Sequence, residues 1–185
     1  MRGQVFLLVT LSFVGSCVND CGKKTTMSQE IIGKKLPNIV LASSGGGEVR
    51  IPEDLLRFYT VLFFYPKDDT PGCTKEACTF RDNLLQFKSV NAKIFGVSSD
   101  GIESHHKFIA KHGLNFPLLA DEGKQLASAL DVSSTMGMFS RDTFLIDPKG
   151  HIAMVWRKVD ATNTVFDTLK KLSELNSQEM PAPSH

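Results

Sequence analysis

The sequence predicts an α/β fold in which a mixed central sheet is flanked by helices. Three observations carry that expectation. The run 60–65 is apolar on both alternations, as a strand buried on both faces is, and Ile94, Phe95 and Val97 give 93–99 the same buried-strand character. Each leads into a stretch whose apolar residues recur at helical spacing, 73–88 and 102–112. Towards the C-terminus, 143–146 and 151–157 flank the turn Asp147-Pro148-Lys149-Gly150 and read as an antiparallel hairpin ahead of a last helix over 163–175.

Length and composition agree with one such domain. The chain has 185 residues, 42% of them hydrophobic, enough for a single sizeable core. A formal net charge of +1 offers neither a basic field for nucleic acid nor an acidic one for cationic partners. The four cysteines are too few for a disulfide scaffold, and they fall in two groups: Cys17 and Cys21 near the start, Cys73 and Cys78 within the domain.

The domain is expected over 27–185, after a distinct segment 1–26. There, Arg2 precedes an apolar run over 5–14 that is too short to span a bilayer comfortably and suits a signal-peptide core. Val14-Gly15-Ser16-Cys17 resembles a bacterial lipobox, in which Cys17 would become the lipid-bearing N-terminus and 19–26 a polar tether. That reading makes the protein a lipoprotein of the cell envelope, lipid-anchored or periplasmic. The alternative is translation from Met27, which makes it cytoplasmic.

Residues 38–42 and 48–51 read as strands joined by the glycine-rich turn 43–47. That turn lacks a following Gly-Lys-Ser/Thr and precedes a strand, so it is not a phosphate loop. Pro52 suits the first position of a short helix over 52–57. Gly113 closes the helix 102–112, and a short strand over 116–120 and a short helix over 123–130 follow. The tail beyond the last helix is polar and contains proline. Strand–helix–strand units followed by a hairpin and a terminal helix match a thioredoxin-like fold.

The stretch Pro66-Lys67-Asp68-Asp69-Thr70-Pro71-Gly72-Cys73 carries the chemistry. It links a buried strand to a helix start and delivers Cys73 to the first turn. Unpaired backbone N–H groups and the positive end of the helix dipole there favour thiolate over thiol. At about 100° per residue, Ala77, Phe80, Leu84 and Phe87 share the direction of Cys73, which heads the inward face. Cys78 lies about 140° round, near Asp82. On an intact helix, residues five apart have Cα atoms roughly 8–9 Å apart. A disulfide needs less than about 7 Å. If the two cysteines pair, the first turns of the helix must unwind. Inert core thiols are the bland alternative. A metal site using His105, His106 and His112 is another, although His105 and His112, seven apart on one helix face, read better as surface residues.

Pro66, Thr70 and Cys73 resemble the Pro-x-x-x-Thr-x-x-Cys signature of peroxiredoxins. The step to Cys78, followed by Arg81-Asp82, is similar to the bacterioferritin-comigratory-protein branch, also called peroxiredoxin Q. The resemblance runs from about Gly33 to Leu175 and includes Phe95-Gly96-Val97-Ser98 and Arg141-Asp142-Thr143-Phe144-Leu145-Ile146-Asp147. It implies reduction of hydrogen peroxide and organic hydroperoxides by a thiol, with no metal or organic cofactor. Cys73 matches the peroxidatic cysteine, Thr70 the hydroxyl that binds the peroxide, and Pro66 the shield of the thiolate. Arg141 matches the arginine that lowers the thiol's pKa and polarises the peroxide. Cys78 matches the resolving cysteine of members that form an intramolecular disulfide, which thioredoxin or a similar dithiol then reduces. Such members are usually monomers. An antiparallel pairing of 143–146 with 60–65 would stand Arg141 beside the Cys73 loop, whereas Arg81 lies about 12 Å along the helix and suits a structural role. The segment 131–140 is shorter and less tyrosine-rich than the family pattern, so this wall of the pocket is expected to differ.

Two other thioredoxin-like classes compete. A disulfide reductase would use Cys-x-x-Cys and a proline where Arg141 stands. A tethered Sco-type copper-binding protein would separate its cysteines by three residues, whereas Thr74 to Ala77 makes four.

Overall fold

The computed structural model describes residues 30–179. The expected signal and tether segment 1–26, with Cys17 and Cys21, lies outside the described residues. Strands β1 (Ile39–Ser43), β2 (Glu48–Ile51), β3 (Tyr59–Phe64), β4 (Ala92–Ser98), β5 (Leu118–Ala120), β8 (Thr143–Ile146) and β9 (Ile152–Trp156) form one sheet in the order β2-β1-β5-β4-β3-β8-β9. The β3–β4 and β4–β5 pairs are parallel and the other neighbours antiparallel, so the sheet is mixed as expected. A two-stranded ribbon, β6 (Ser134–Thr135) and β7 (Met138–Phe139), stands apart from it. The helices are α1 (Pro71–Asp82), α2 (Leu84–Ser89), α3 (Ile102–His112), α4 (Gln125–Ala129) and α5 (Asn163–Glu179).

Every residue of β3 is buried, and its alternation divides the core between the two faces of the sheet. Leu62 and Phe64 point to a cluster that includes Val97, Phe144 and Leu126 of α4. Val61, Phe63 and Tyr65 point to the other, where Phe80, Phe87, Phe108 and Leu172 pack from α1, α2, α3 and α5. Phe63 stacks on Phe80 with ring centroids 4.5 Å apart. This contact seats α1 across the C-terminal end of the central strand.

Gly96 explains how closely β3, β4 and β5 pack. A β-carbon there would come within 2.7 Å of both the Phe63 and Leu118 side chains. Gly113, at φ +60°, ends α3 in the left-handed conformation expected of it.

Several local expectations are corrected. The helix expected over 73–88 is two helices, because Asn83 leaves helical geometry (φ −102°, ψ 5°) and its side-chain amide donates to the Thr79 carbonyl at 2.8 Å. An asparagine able to satisfy a helix-end carbonyl locally offers the backbone an alternative to continuing. Pro52 is the N-cap of a single 3-10 turn (Glu53–Leu55) rather than the first residue of an α-helix. The helix over 123–130 shrinks to Gln125–Ala129, and Asp121 accepts from the backbone N–H groups of Gln125, Leu126 and Ala127. The last helix extends to Glu179.

Candidate active site

Where β3 leaves the sheet, the chain is held by polar contacts. The Tyr65 hydroxyl donates to Asp68 Oδ1 at 2.7 Å, and the Asp68 N–H donates to Asp100 Oδ2 at 2.8 Å. His105 Nδ1 of α3 lies 2.9 Å from Asp68 Oδ2, with both side chains nearly inaccessible. Burial raises the pKa of Asp68, but the His105 contact outweighs it and holds the carboxyl below its ordinary value. Burial, followed by the Asp68 charge, pushes the Tyr65 phenol well above its usual range, so it serves as a donor. Asp69 then turns the chain at φ +57° into Thr70, the N-cap of α1, and Pro71, its first residue. The Thr70 hydroxyl donates to the Lys67 carbonyl at 3.2 Å, leaving its oxygen lone pairs to accept from an incoming O–H.

Cys73 lies in the first turn of α1 and is 1% exposed. Arg141, two residues before β8, reaches it with Nη2 at 3.6 Å from the sulfur. The expected register produces this approach: Phe63 pairs with Thr143 across antiparallel β3 and β8, and the Phe64 N–H donates to the Asp142 carbonyl at 2.7 Å. The backbone of Arg141 is fixed by the Val159 N–H, which donates to its carbonyl at 2.8 Å. Asp142 ties down the same segment, accepting from Arg157 Nη1 and the Lys158 N–H.

The other guanidinium nitrogen, Nη1, donates to Glu76 Oε2. Glu76 is fully buried on the inward side of α1, and among the described residues its Oε1 has no hydrogen-bond partner. Burial pushes the Glu76 carboxyl from 4.5 to about 7, with Arg141 opposing the rise. Burial works against the charge of Arg141, but Glu76 and Cys73 outweigh it and hold the guanidinium protonated. The cation is thus shared between a carboxyl that titrates near neutrality and the sulfur.

Beside Arg141 opens a cleft of about 470 Å³, lined by Pro66, Met138, Phe139, Lys158 and Val159, among others. Its outer wall is the β6–β7 ribbon, turned through Met136 and Gly137, both at positive φ, and pinned where Ser99 Oγ donates to the Gly137 carbonyl at 2.6 Å. The ribbon falls within 131–140, the segment expected to differ from the family pattern.

Comparison with known proteins follows the same residues. The model of the AhpC/TSA family matches residues 32–155. Peroxiredoxin Bcp of Bacillus subtilis is 42% identical over 154 residues, which cover 80% of this chain and 98% of that protein. The chain belongs to the AhpC/TSA family, in its Bcp/peroxiredoxin Q branch. Among solved structures, the bacterioferritin comigratory protein of Xanthomonas campestris, described for its alkyl peroxide reduction activity, superposes with a TM-score of 0.70 at 34% identity, covering 76% of this chain and 98% of that one. A cysteine-to-serine variant of Xylella fastidiosa PrxQ gives 0.73 at 36% identity, covering 78% and 96%. These peroxiredoxins give the Sco-type alternative no support.

In this peroxiredoxin, Pro66, Thr70, Cys73 and Arg141 converge on one end of the central strand. Cys78 is on the same helix, half-buried, and both thiols are free. Because α1 is continuous from Pro71 to Asp82, the five-residue step leaves the two Cα atoms roughly 8–9 Å apart. Arg81 has the structural role expected of it, pairing with Asp82 and donating to the His112 carbonyl. The histidines are corrected. His105 and His112 do share a face, but it is the face packed on the 66–70 loop: His105 is fully buried and His112 Nε2 lies 2.7 Å from Asp69 Oδ1. Sequence reasoning missed Glu76, although a signal was present. Glu76 lies about 60° from Cys73 on the inward face, where a carboxylate requires a partner.

Proposed function

We propose that the protein is a thiol-dependent peroxidase in which Cys73 is the peroxidatic and Cys78 the resolving cysteine. The observation that carries this reading is the approach of Arg141 Nη2 to within 3.6 Å of the Cys73 sulfur at a helix N-terminus, in a chain of this family. The helix dipole and the guanidinium both stabilise negative charge on sulfur. The thiolate attacks the terminal oxygen of the peroxide as the O–O bond breaks. Cys73 becomes a sulfenic acid, and the departing oxygen takes a proton to leave as water or an alcohol. Arg141 stabilises the charge that develops on the oxygens, and Thr70 accepts the peroxide hydroxyl proton in a hydrogen bond. Pro66 covers the approach from the cleft, whose apolar wall suits the organic part of a hydroperoxide.

Cys78 then attacks the sulfenic sulfur, forming the disulfide and releasing water. The distance between the cysteines requires α1 to unwind locally for this step. Thioredoxin or a similar dithiol restores both thiols by exchange. We take the enzyme to act as a monomer. Substitution of Cys73 by serine should abolish dithiol-dependent peroxide consumption. Cys78→Ser should still form one equivalent of sulfenic acid, trapped by a dimedone-type probe, yet fail to recycle with thioredoxin. Peroxide turnover by Cys73→Ser would refute the mechanism.

The pattern over 1–17 supports a lipid anchor at Cys17 and an envelope location, with an envelope dithiol as reductant. Mass spectrometry of the mature N-terminus tests this: a diacylglyceryl Cys17 is expected, and a start at Met27 would put the enzyme in the cytoplasm.

A further inference from the structure

The C-terminal turn of α3 grips the cysteine-bearing segment at both ends. Ahead of the segment, the Asp69 carboxylate accepts from Lys111 Nζ at 2.5 Å and contacts His112 Nε2 at 2.7 Å. Beyond it, Arg81 Nη1 donates to the His112 carbonyl at 2.5 Å, next to fully buried Phe80. Thr70, Cys73 and Cys78 all lie between these grips. The two ends are held unequally. Phe80 stacks on Phe63 and packs on Phe87, so the later turns of α1 are anchored in the core. The leading end is held from α3 at two neighbouring residues, Asp68 by buried His105 and Asp69 by exposed Lys111 and partly buried His112, so only the hold on Asp69 opens to solvent. Asp69 turns the chain at φ +57°, a conformation aspartate adopts more readily than most residues.

We propose that Asp69, held by Lys111 and His112, is a latch that keeps the first turn of α1 wound and so sets how fast oxidised Cys73 reaches Cys78. The inference rests on Cys78 being the resolving thiol. While the latch holds, Cys73 stays in its first-turn position beside Arg141, the geometry that serves attack on peroxide. Disulfide formation needs the opposite, a first turn free to move towards Cys78 while the Phe80 end stays fixed. The sulfenic acid therefore has two fates. It condenses with the Cys78 thiol, losing water, or it reacts with a second peroxide, which gives the sulfinic acid and releases an alcohol or water. Asp69, Lys111 and His112 are positioning residues, and they act on the partition between these fates.

Asp69→Asn and Lys111→Ala test the latch, because both lie on the surface and asparagine tolerates the left-handed turn. Reduced protein is mixed with one equivalent of hydrogen peroxide, quenched with a maleimide at timed intervals, and analysed by mass spectrometry for disulfide. A peroxide dose series then gives the fraction of sulfinic acid. Each substitution is expected to speed disulfide formation about two- to fivefold, the scale of one exposed ion pair. The peroxide dose for half-conversion to sulfinic acid should rise by a similar factor. The two substitutions change the local charge in opposite directions, so a simple field effect on the sulfur would move the rates oppositely. Opposite or unchanged rates overturn the latch. A wild-type protein that forms no Cys73–Cys78 bond at all overturns the reading of Cys78 itself, and the latch with it.

Discussion

Replacing Glu76 with glutamine removes a buried titration while keeping an oxygen that can accept from Arg141. The folded protein raises this carboxyl from 4.5 to about 7, chiefly by burial. Between those values the folded state binds a proton that the unfolded chain has released, so stability falls as pH rises through the window and levels off above it. At roughly 1.4 kcal/mol per unit, the shift amounts to about 3 kcal/mol lost by the wild type on going from acid to pH 8. The glutamine variant has no such loss. Its amide hydrogens bring a penalty of about 1–2 kcal/mol for burial without partners, but that penalty does not vary with pH. Urea unfolding under reducing conditions, followed by the fluorescence of Trp156, the sole tryptophan, measures both proteins at pH 4.5 and pH 8. Relative to wild type, the variant should gain about 3 kcal/mol between the two pH values, or a midpoint displacement of about 1.5 M urea at an m of about 2 kcal/mol/M. Groups such as Asp68 titrate in both proteins and cancel. A difference that stays constant with pH would show that folding leaves the Glu76 carboxyl near its ordinary range, and the account of a carboxyl titrating near neutrality beside Arg141 would fail.

Two further outcomes follow from packing. Gly96→Ala should destabilise the fold by about 1–3 kcal/mol in the same urea assay, because its β-carbon would meet Phe63 and Leu118 at 2.7 Å inside the sheet core. Wild-type stability in this variant would mean that the β4–β5 packing is looser than described. Met138→Ala should lower kcat/KM for cumene hydroperoxide about three- to tenfold while leaving hydrogen peroxide within about twofold, since Met138 lines the cleft and supplies apolar contact only to a substrate with an organic group. Equal losses on both substrates would remove the cleft from substrate recognition.

The elements proposed to recognise peroxide are local, and for that reason they are legible in the sequence. Pro66, Thr70 and Cys73 sit within eight residues, and a strand–loop–helix transition is written in apolar periodicity and a proline. Arg141 was reachable because one assumption about strand direction places it, and the Phe63–Thr143 register bears that assumption out. Asp68 and His105 were not legible as partners. They are 37 residues apart, and nothing in the spacing of polar residues in a loop names the helix that will pack on it. The ribbon over 134–139 was expected only as a departure, because a Met-Gly turn carries a weaker hairpin signal than Asn-Gly.

By itself, the sequence determined which residues could do chemistry and which faces were apolar, because side-chain type and the 3.6- and 2-residue periods are properties of the chain alone. It placed Cys73 at a helix start and Cys78 too far round the same helix to pair without unwinding. Only the tertiary structure decided what surrounds them. It seats Arg141 between Cys73 and a carboxyl that titrates near neutrality. It also sets the turn of α3 that bears Lys111 and His112 against Asp69 at the head of the cysteine helix. Charges and donors act through distance and burial, and both are set by which elements the fold brings together.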